Sequence, residues 1–157
     1  MAIYKHFPHR EALLQAATAA EYKKLAKCFD RANARTAIPG LRGMLGYLDY
    51  ACDHPELFRY MFASHRQDAF TYPADLAVGK SPTLNILRAV VASLMEGGLL
   101  GRDDVSETSL TIWAHAHGLI TLYLAGRIQM PRKAFRDLYK RSLDRLWVGL
   151  QRRPVGG

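Results

Sequence analysis

The most constraining feature of this chain is Thr108 to Gly126, a run of nineteen residues without one Asp, Glu, Lys or Arg. It is nearly long enough to span a bilayer, which takes ~20 predominantly apolar residues. However, Thr108, Ser109, Thr111, His115, His117 and Thr121 give it a polar load unsuited to hydrocarbon. Leu110, Ile112, Trp113, Leu119, Ile120, Leu122, Tyr123 and Leu124 cannot share one stripe of a helix, so the segment reads as a helix buried on several sides. A chain of 157 residues has few other helices with which to surround it. The expectation is therefore that a second copy covers what the first leaves open.

The rest of the chain is punctuated as helices, with no Asn-Gly or Asp-Gly hairpin turns. Residues 9–34 are rich in Ala, Leu, Lys and Glu and predict one long helix, closed by a loop at Thr36–Gly40. Leu41, Leu45, Leu48 and Cys52 recur at spacings of three and four and predict a second. Asp53-His54-Pro55-Glu56 ends that helix and starts a short aromatic one running to about Ser64, with a cap, a first-turn proline and an acid near the positive dipole end. Residues 65–80 lack a pattern and predict a connection. Ser81-Pro82 opens a helix that stops at Gly97-Gly98, and Asp104 with Glu107 resembles a capping box ahead of the uncharged run. Pro131 opens the last helix, whose Phe135, Leu138, Tyr139, Leu143, Leu146, Trp147 and Leu150 form an apolar stripe opposite a basic face. The fold class is all-α, a helical bundle with short connections.

Charge is unevenly placed on a net of +8. Residues 1–45 carry eight Lys and Arg against three Asp and Glu, residues 46–126 five against nine, and residues 127–157 nine against two. Basic ends around an acidic middle fit either contact with a polyanion or plain solvated helix faces. Cys28 and Cys52 are too few and too far apart for a disulfide framework or a thiolate zinc site, which fits a reducing, cytoplasmic setting. His115 and His117, two apart on a helix, point about 200° away from each other, and Pro8 interrupts His6 and His9. No phosphate loop, nucleophile elbow or H-E-x-x-H is present, so neither metal, cofactor nor catalytic residues are expected.

Three segments resemble one known family. The opening Ala2-Ile3-Tyr4-Lys5-His6-Phe7-Pro8-His9-Arg10-Glu11-Ala12-Leu13-Leu14 is similar to the end of the recognition helix and the start of the fourth helix in TetR-type transcriptional regulators. Residues 51–62, with His54-Pro55, Leu57-Phe58 and Met61-Phe62, resemble that family's "HP-x-LF-x-x-MF" helix. Trp113-Ala114-His115-Ala116-His117-Gly118 resembles the W-x-x-x-H-G signature of one C-terminal ligand-binding subgroup. His9 departs from the pattern, which has Ser or Asn there as the cap.

The resemblance implies a TetR-type C-terminal bundle that dimerises through its last two helices. Residues 1–34 would be the remnant of the DNA-reading head plus a connecting helix, and residues 35–157 the ligand-binding and dimerisation domain. The first two helices of a helix-turn-helix and the start of the third would lie upstream of Met1, so the chain as given is not expected to read a DNA sequence by itself. Tyr4, Lys5, His6 and Arg10 fall where the family touches operator DNA, a placement that suits phosphate contacts. Tyr50, Phe58, Met61, Phe62, Leu94, Trp113 and His117 are the expected lining of a pocket for a small hydrophobic or aromatic effector, with His117 and Tyr50 as its polar groups. Leu119, Leu122, Tyr123, Leu143, Leu146 and Trp147 are the expected homodimer contacts. Two alternatives stay open at this point: a helical small-molecule-binding protein without DNA function, and a peripheral membrane protein using the basic face of residues 131–152.

Overall fold

A computed structural model describes residues 8–33, 39–63 and 70–151. They form seven helices and no strand: α1 (Arg10–Asn33), α2 (Pro39–Asp53), α3 (Pro55–Ala63), α4 (Ala74–Ala77), α5 (Pro82–Glu96), α6 (Val105–Leu124) and α7 (Arg132–Leu150). Proline is the first residue of α2, α3 and α5, the one helical position where its missing N–H costs nothing and its fixed φ helps. Pro39, expected in the loop before the second helix, belongs to that helix for this reason. The single turn α4 lies inside the stretch expected to be unpatterned, held by Asp75, which accepts from the Thr71 amide at 3.0 Å and pairs with Lys80 at 2.6 Å.

The long helices start and stop as their ends dictate. Ser81 Oγ accepts the Leu84 amide at 3.4 Å, and Asp104 Oδ1 accepts the Glu107 amide at 2.8 Å. The reciprocal half of the capping box is absent, because the Asp104 amide donates to Asp103 Oδ1 at 2.8 Å instead. Gly98 and Gly126 close α5 and α6 with φ of +72° and +69°, a left-handed turn that a side chain would strain.

Helix α2 is the hub, packing against α1, α3, α5, α6 and α7. Its Met44, Tyr47, Leu48 and Ala51 meet Leu25 of α1, Phe58 and Met61 of α3, Leu84, Leu87 and Val91 of α5, Ile112, Ala116 and Ile120 of α6, and Phe135, Tyr139 and Leu143 of α7. Leu25 is fully buried, so α1 shares the core with the remainder of the chain. Two arginines of the basic face of α7 are engaged: Arg132 pairs with Asp53 at 2.7 Å and Arg136 with Asp49, clipping α7 to α2. These pairs are about half exposed and add at most ~1 kcal/mol each.

Helix α6, uncharged from Thr108 onward, receives more cover from its own chain than the length of the sequence predicts. It packs against α2, α5 and α7, and α3 reaches it through Phe58 and Phe62. What stays open is an uncharged strip: Thr111, Ala114 and Leu122 are exposed and Gly118 partly so. Among the described residues no helix is long and apolar enough to cross a membrane.

Candidate functional site

The site grows from one buried hydroxyl. Tyr47 is 1% exposed, placed by the hub helix between α3 and α6. Its Oη lies 2.8 Å from His117 Nδ1 and 3.3 Å from Trp113 Nε1. An indole nitrogen can only donate, so Tyr47 Oη accepts from Trp113, and the direction of its bond to His117 Nδ1 follows the imidazole tautomer. When Tyr47 donates to Nδ1, the imidazole proton sits on Nε2. Trp113 and His117 are four apart and share one face of α6, which lets a single tyrosine bridge both.

Aromatic rings enclose this polar chain. His117 stacks on Phe58 with centroids 5.3 Å apart and meets Phe62 edge-on at 5.0 Å. Phe62 also contacts Tyr47 at 5.9 Å and Trp113 at 6.2 Å. Burial disfavours charge here: it holds the Tyr47 hydroxyl well above the usual phenol range and the His117 imidazole below the usual histidine range.

The depressed pKa of His117 has a measurable consequence. A base whose folded-state pKa lies below its unfolded value stabilises the fold fully above that unfolded value, and the contribution disappears as pH falls towards the folded one. The melting temperature is therefore expected to fall between about pH 7.5 and 5, and His117→Gln is expected to flatten that slope. Equal slopes in wild type and variant would show that His117 carries its charge as easily folded as unfolded.

Three spaces adjoin the ring cluster. A cavity of about 110 Å³ is walled by Tyr22, Met44, Tyr47, Met61, Phe62 and Trp113, with Ser81 and Thr83 at its border. A crevice of about 250 Å³ shares Tyr22, Phe70 and Ser81 with it and is edged by Lys23 and Lys80. A third space of about 340 Å³, bordered by Phe58, Arg59, Phe62, His117, Thr121, Leu124 and Ala125, shares Phe62 with the first. The small cavity and crevice together, or the third space alone, reach the ~300–1,000 Å³ of ordinary small-molecule sites.

Of the residues expected to line a pocket, Phe58, Met61, Phe62, Trp113 and His117 border the first or the third space. Tyr50 and Leu94 sit elsewhere. Tyr50 Oη donates to Glu21 Oε2 at 3.0 Å, tying α2 to α1, and the residue borders none of the three spaces. Leu94 faces a small apolar crevice between α5 and α7, shared with Leu143, Leu146 and Trp147. Leu143, expected at a subunit contact, is 2% exposed inside its own protomer. Tyr123 stacks on Phe135 at 3.9 Å, Leu119 is half-buried, and Leu122 is 46% exposed. Tyr4, Lys5 and His6, and the side chain of Arg10, lie outside the described residues. Sequence reasoning missed Tyr47 and Arg59. The available signal was Tyr47 itself, a hydroxyl-bearing ring one turn before Tyr50 on an otherwise apolar helix face. Among the described residues no three His, Cys, Asp or Glu side chains gather to hold a metal ion.

Comparison with known proteins gives a family and a fold. The family described as "Tetracyclin repressor-like, C-terminal domain" matches residues 41–146, from early α2 to late α7. A solved structure of "a protein with unknown function from Rhodococcus sp. RHA1" superposes with a TM-score of 0.80 at 23% identity, covering 94% of this chain and 78% of that one. At that identity the likeness is one of fold. No curated protein matches. With the family spanning about two-thirds of its length, including α3, α5, α6 and most of α2 and α7, the chain belongs to the tetracycline-repressor-like (TetR) C-terminal domain family.

Proposed function

We propose that this chain is the effector-binding and dimerisation part of a cytoplasmic, ligand-responsive transcriptional regulator that represses by holding operator DNA as a homodimer. Residues 1–34 would join that part to the DNA-reading head, and occupancy of the pocket would favour a conformation with weaker operator affinity. The observation that carries the reading is the Trp113–Tyr47–His117 chain, a set of oriented polar groups in a ring-lined space inside the bundle. Plain core rarely holds three polar side chains bonded to one another next to open volume, whereas a small-molecule site needs both. Membership of the TetR-like family supports the same reading. No enzymatic step enters it.

Trp113 provides the test. With Trp147→Phe removing the only other tryptophan, the emission of Trp113 reports on the ring cluster alone. Titration with a panel of naphthalene, indole and phenol derivatives is expected to give saturable quenching for at least one member, at one site per chain. No saturable change from any of them would remove the pocket from the reading.

A further inference from the structure

The third space differs in chemistry from the cavity walled by Tyr47. Its walls are Phe58, Phe62 and the His117 ring, with the aliphatic ends of Leu124 and Ala125, and Arg59 stands at its border. No carboxylate lines it. With Tyr47 donating to His117 Nδ1, the imidazole carries its proton on Nε2, and that nitrogen has no protein partner among the described residues. Arg59 is anchored by its Nη2, which donates to the Leu124 carbonyl at the end of α6 at 2.6 Å. Its ion pair with Glu56 is exposed on both sides and so holds the guanidinium only weakly. A wall of mutually packed rings, an imidazole N–H and a guanidinium with no acid among its neighbours in the space complement a planar anion.

We infer that the space between α3 and α6 is the effector site proper and takes a planar aromatic carboxylate, its ring slotted against Phe58, Phe62 and His117 and its carboxylate held by Arg59 and His117 Nε2–H. The inference rests on the reading of the chain as an effector-binding domain and deepens it to a ligand class. The hydrogen-bonded chain behind the imidazole is built on a tryptophan and a tyrosine. Neither titrates near neutral pH, so neither brings a charge against the imidazole. About 340 Å³ falls within the range of ordinary ligand sites, and the 110 Å³ cavity alone does not.

The test compares two isosteres on the whole chain, naphthalene-2-carboxylate and the neutral naphthalene-2-carboxamide, by calorimetric titration at fixed ionic strength. The carboxylate is expected to bind about tenfold more tightly or better, as a charge-assisted pair at a partly open site provides. Arg59→Gln is expected to erase that preference, weakening the carboxylate about tenfold more than the carboxamide. Arg59 is about half exposed, so the variant keeps its fold, and its melting curve verifies this. His117→Phe is expected to weaken both probes, since both offer an acceptor oxygen to Nε2–H. Equal affinities for the two probes overturn the inference, as does a carboxylate preference that survives Arg59→Gln. A preference abolished by Lys23→Gln or Lys80→Gln instead places the anion in the crevice beside α1 and also overturns it. Failure of both probes to bind overturns the ligand class alone, because the Trp113 titration judges the broader effector reading separately.

Discussion

Phe135→Ala is expected to lower the free energy of unfolding by about 3–5 kcal/mol, the usual cost of deleting a fully buried aromatic ring. Phe135 is 0% exposed, lies face to face with Tyr123 at 3.9 Å and touches Tyr139 at 6.1 Å. Alanine would remove the ring that joins α7 to the end of α6. Helix α7 bears on the bundle through this stripe, so its neighbours cannot close the gap without shifting the whole helix. For a domain with a total stability of roughly 5–15 kcal/mol, the loss is a third or more. Urea unfolding at one protein concentration measures it, since self-association would make the midpoint concentration-dependent. Tyr139→Phe is the internal control. It keeps the ring and removes only the hydrogen bond from Oη to the Met44 carbonyl at 3.0 Å, so about 1 kcal/mol is expected. If Phe135→Ala costs no more than Tyr139→Phe, the stripe of α7 does not carry the packing assigned to it.

Leu122→Glu is expected to convert the protein from a dimer to a monomer. Leu122 is 46% exposed and belongs to the uncharged strip of α6 with Thr111, Ala114 and Gly118. A β-carbon added at Gly118 would meet nothing within 4 Å, so nothing inside the protomer requires glycine there. Glycine in the middle of a helix nevertheless costs about 1 kcal/mol relative to alanine. A second copy packing its own α6 closely over the strip would account for both the missing side chain and the absence of charge. A glutamate buried there without a partner costs about 3 kcal/mol or more, over a hundredfold in dissociation constant. Sedimentation at micromolar concentration is expected to give a dimer for the wild type and a monomer for Leu122→Glu, with unchanged helical circular dichroism. A monomeric wild type, or a variant that stays dimeric, would remove this strip from the interface.

Much of the helix layout could be read along the chain because helices are made by local interactions. Ser81, Asp104, Pro55, Pro82, Gly98 and Gly126 act on residues within one turn of themselves, so the letters alone place the ends of α3, α5 and α6 to within a residue or two. The 3-4 stripes on α2 and α7 likewise show which faces are apolar. The pocket was only partly legible. Phe58, Phe62, Trp113 and His117 stand out as an unusual density of rings, yet Tyr47 and Tyr50 look equivalent in the sequence, both tyrosines on α2. The hydroxyl of one bridges to α6 and that of the other reaches α1. A tyrosine's partner is set by which helix crosses above it.

The same limit governs the apolar residues of the last two helices. Periodicity identifies Leu122 and Leu143 alike as hydrophobic positions, and one is 46% exposed while the other is 2% exposed. Local propensity, capping and amphipathic spacing thus established an all-α chain and the extent of most of its helices, because those forces act within a few residues. Which rings gather around the His117 imidazole, and which apolar surface is left open for another molecule, depended on contacts between residues as far apart as Tyr47 and His117. Such contacts follow from the order in which whole helices cross, and no short window of sequence contains that information.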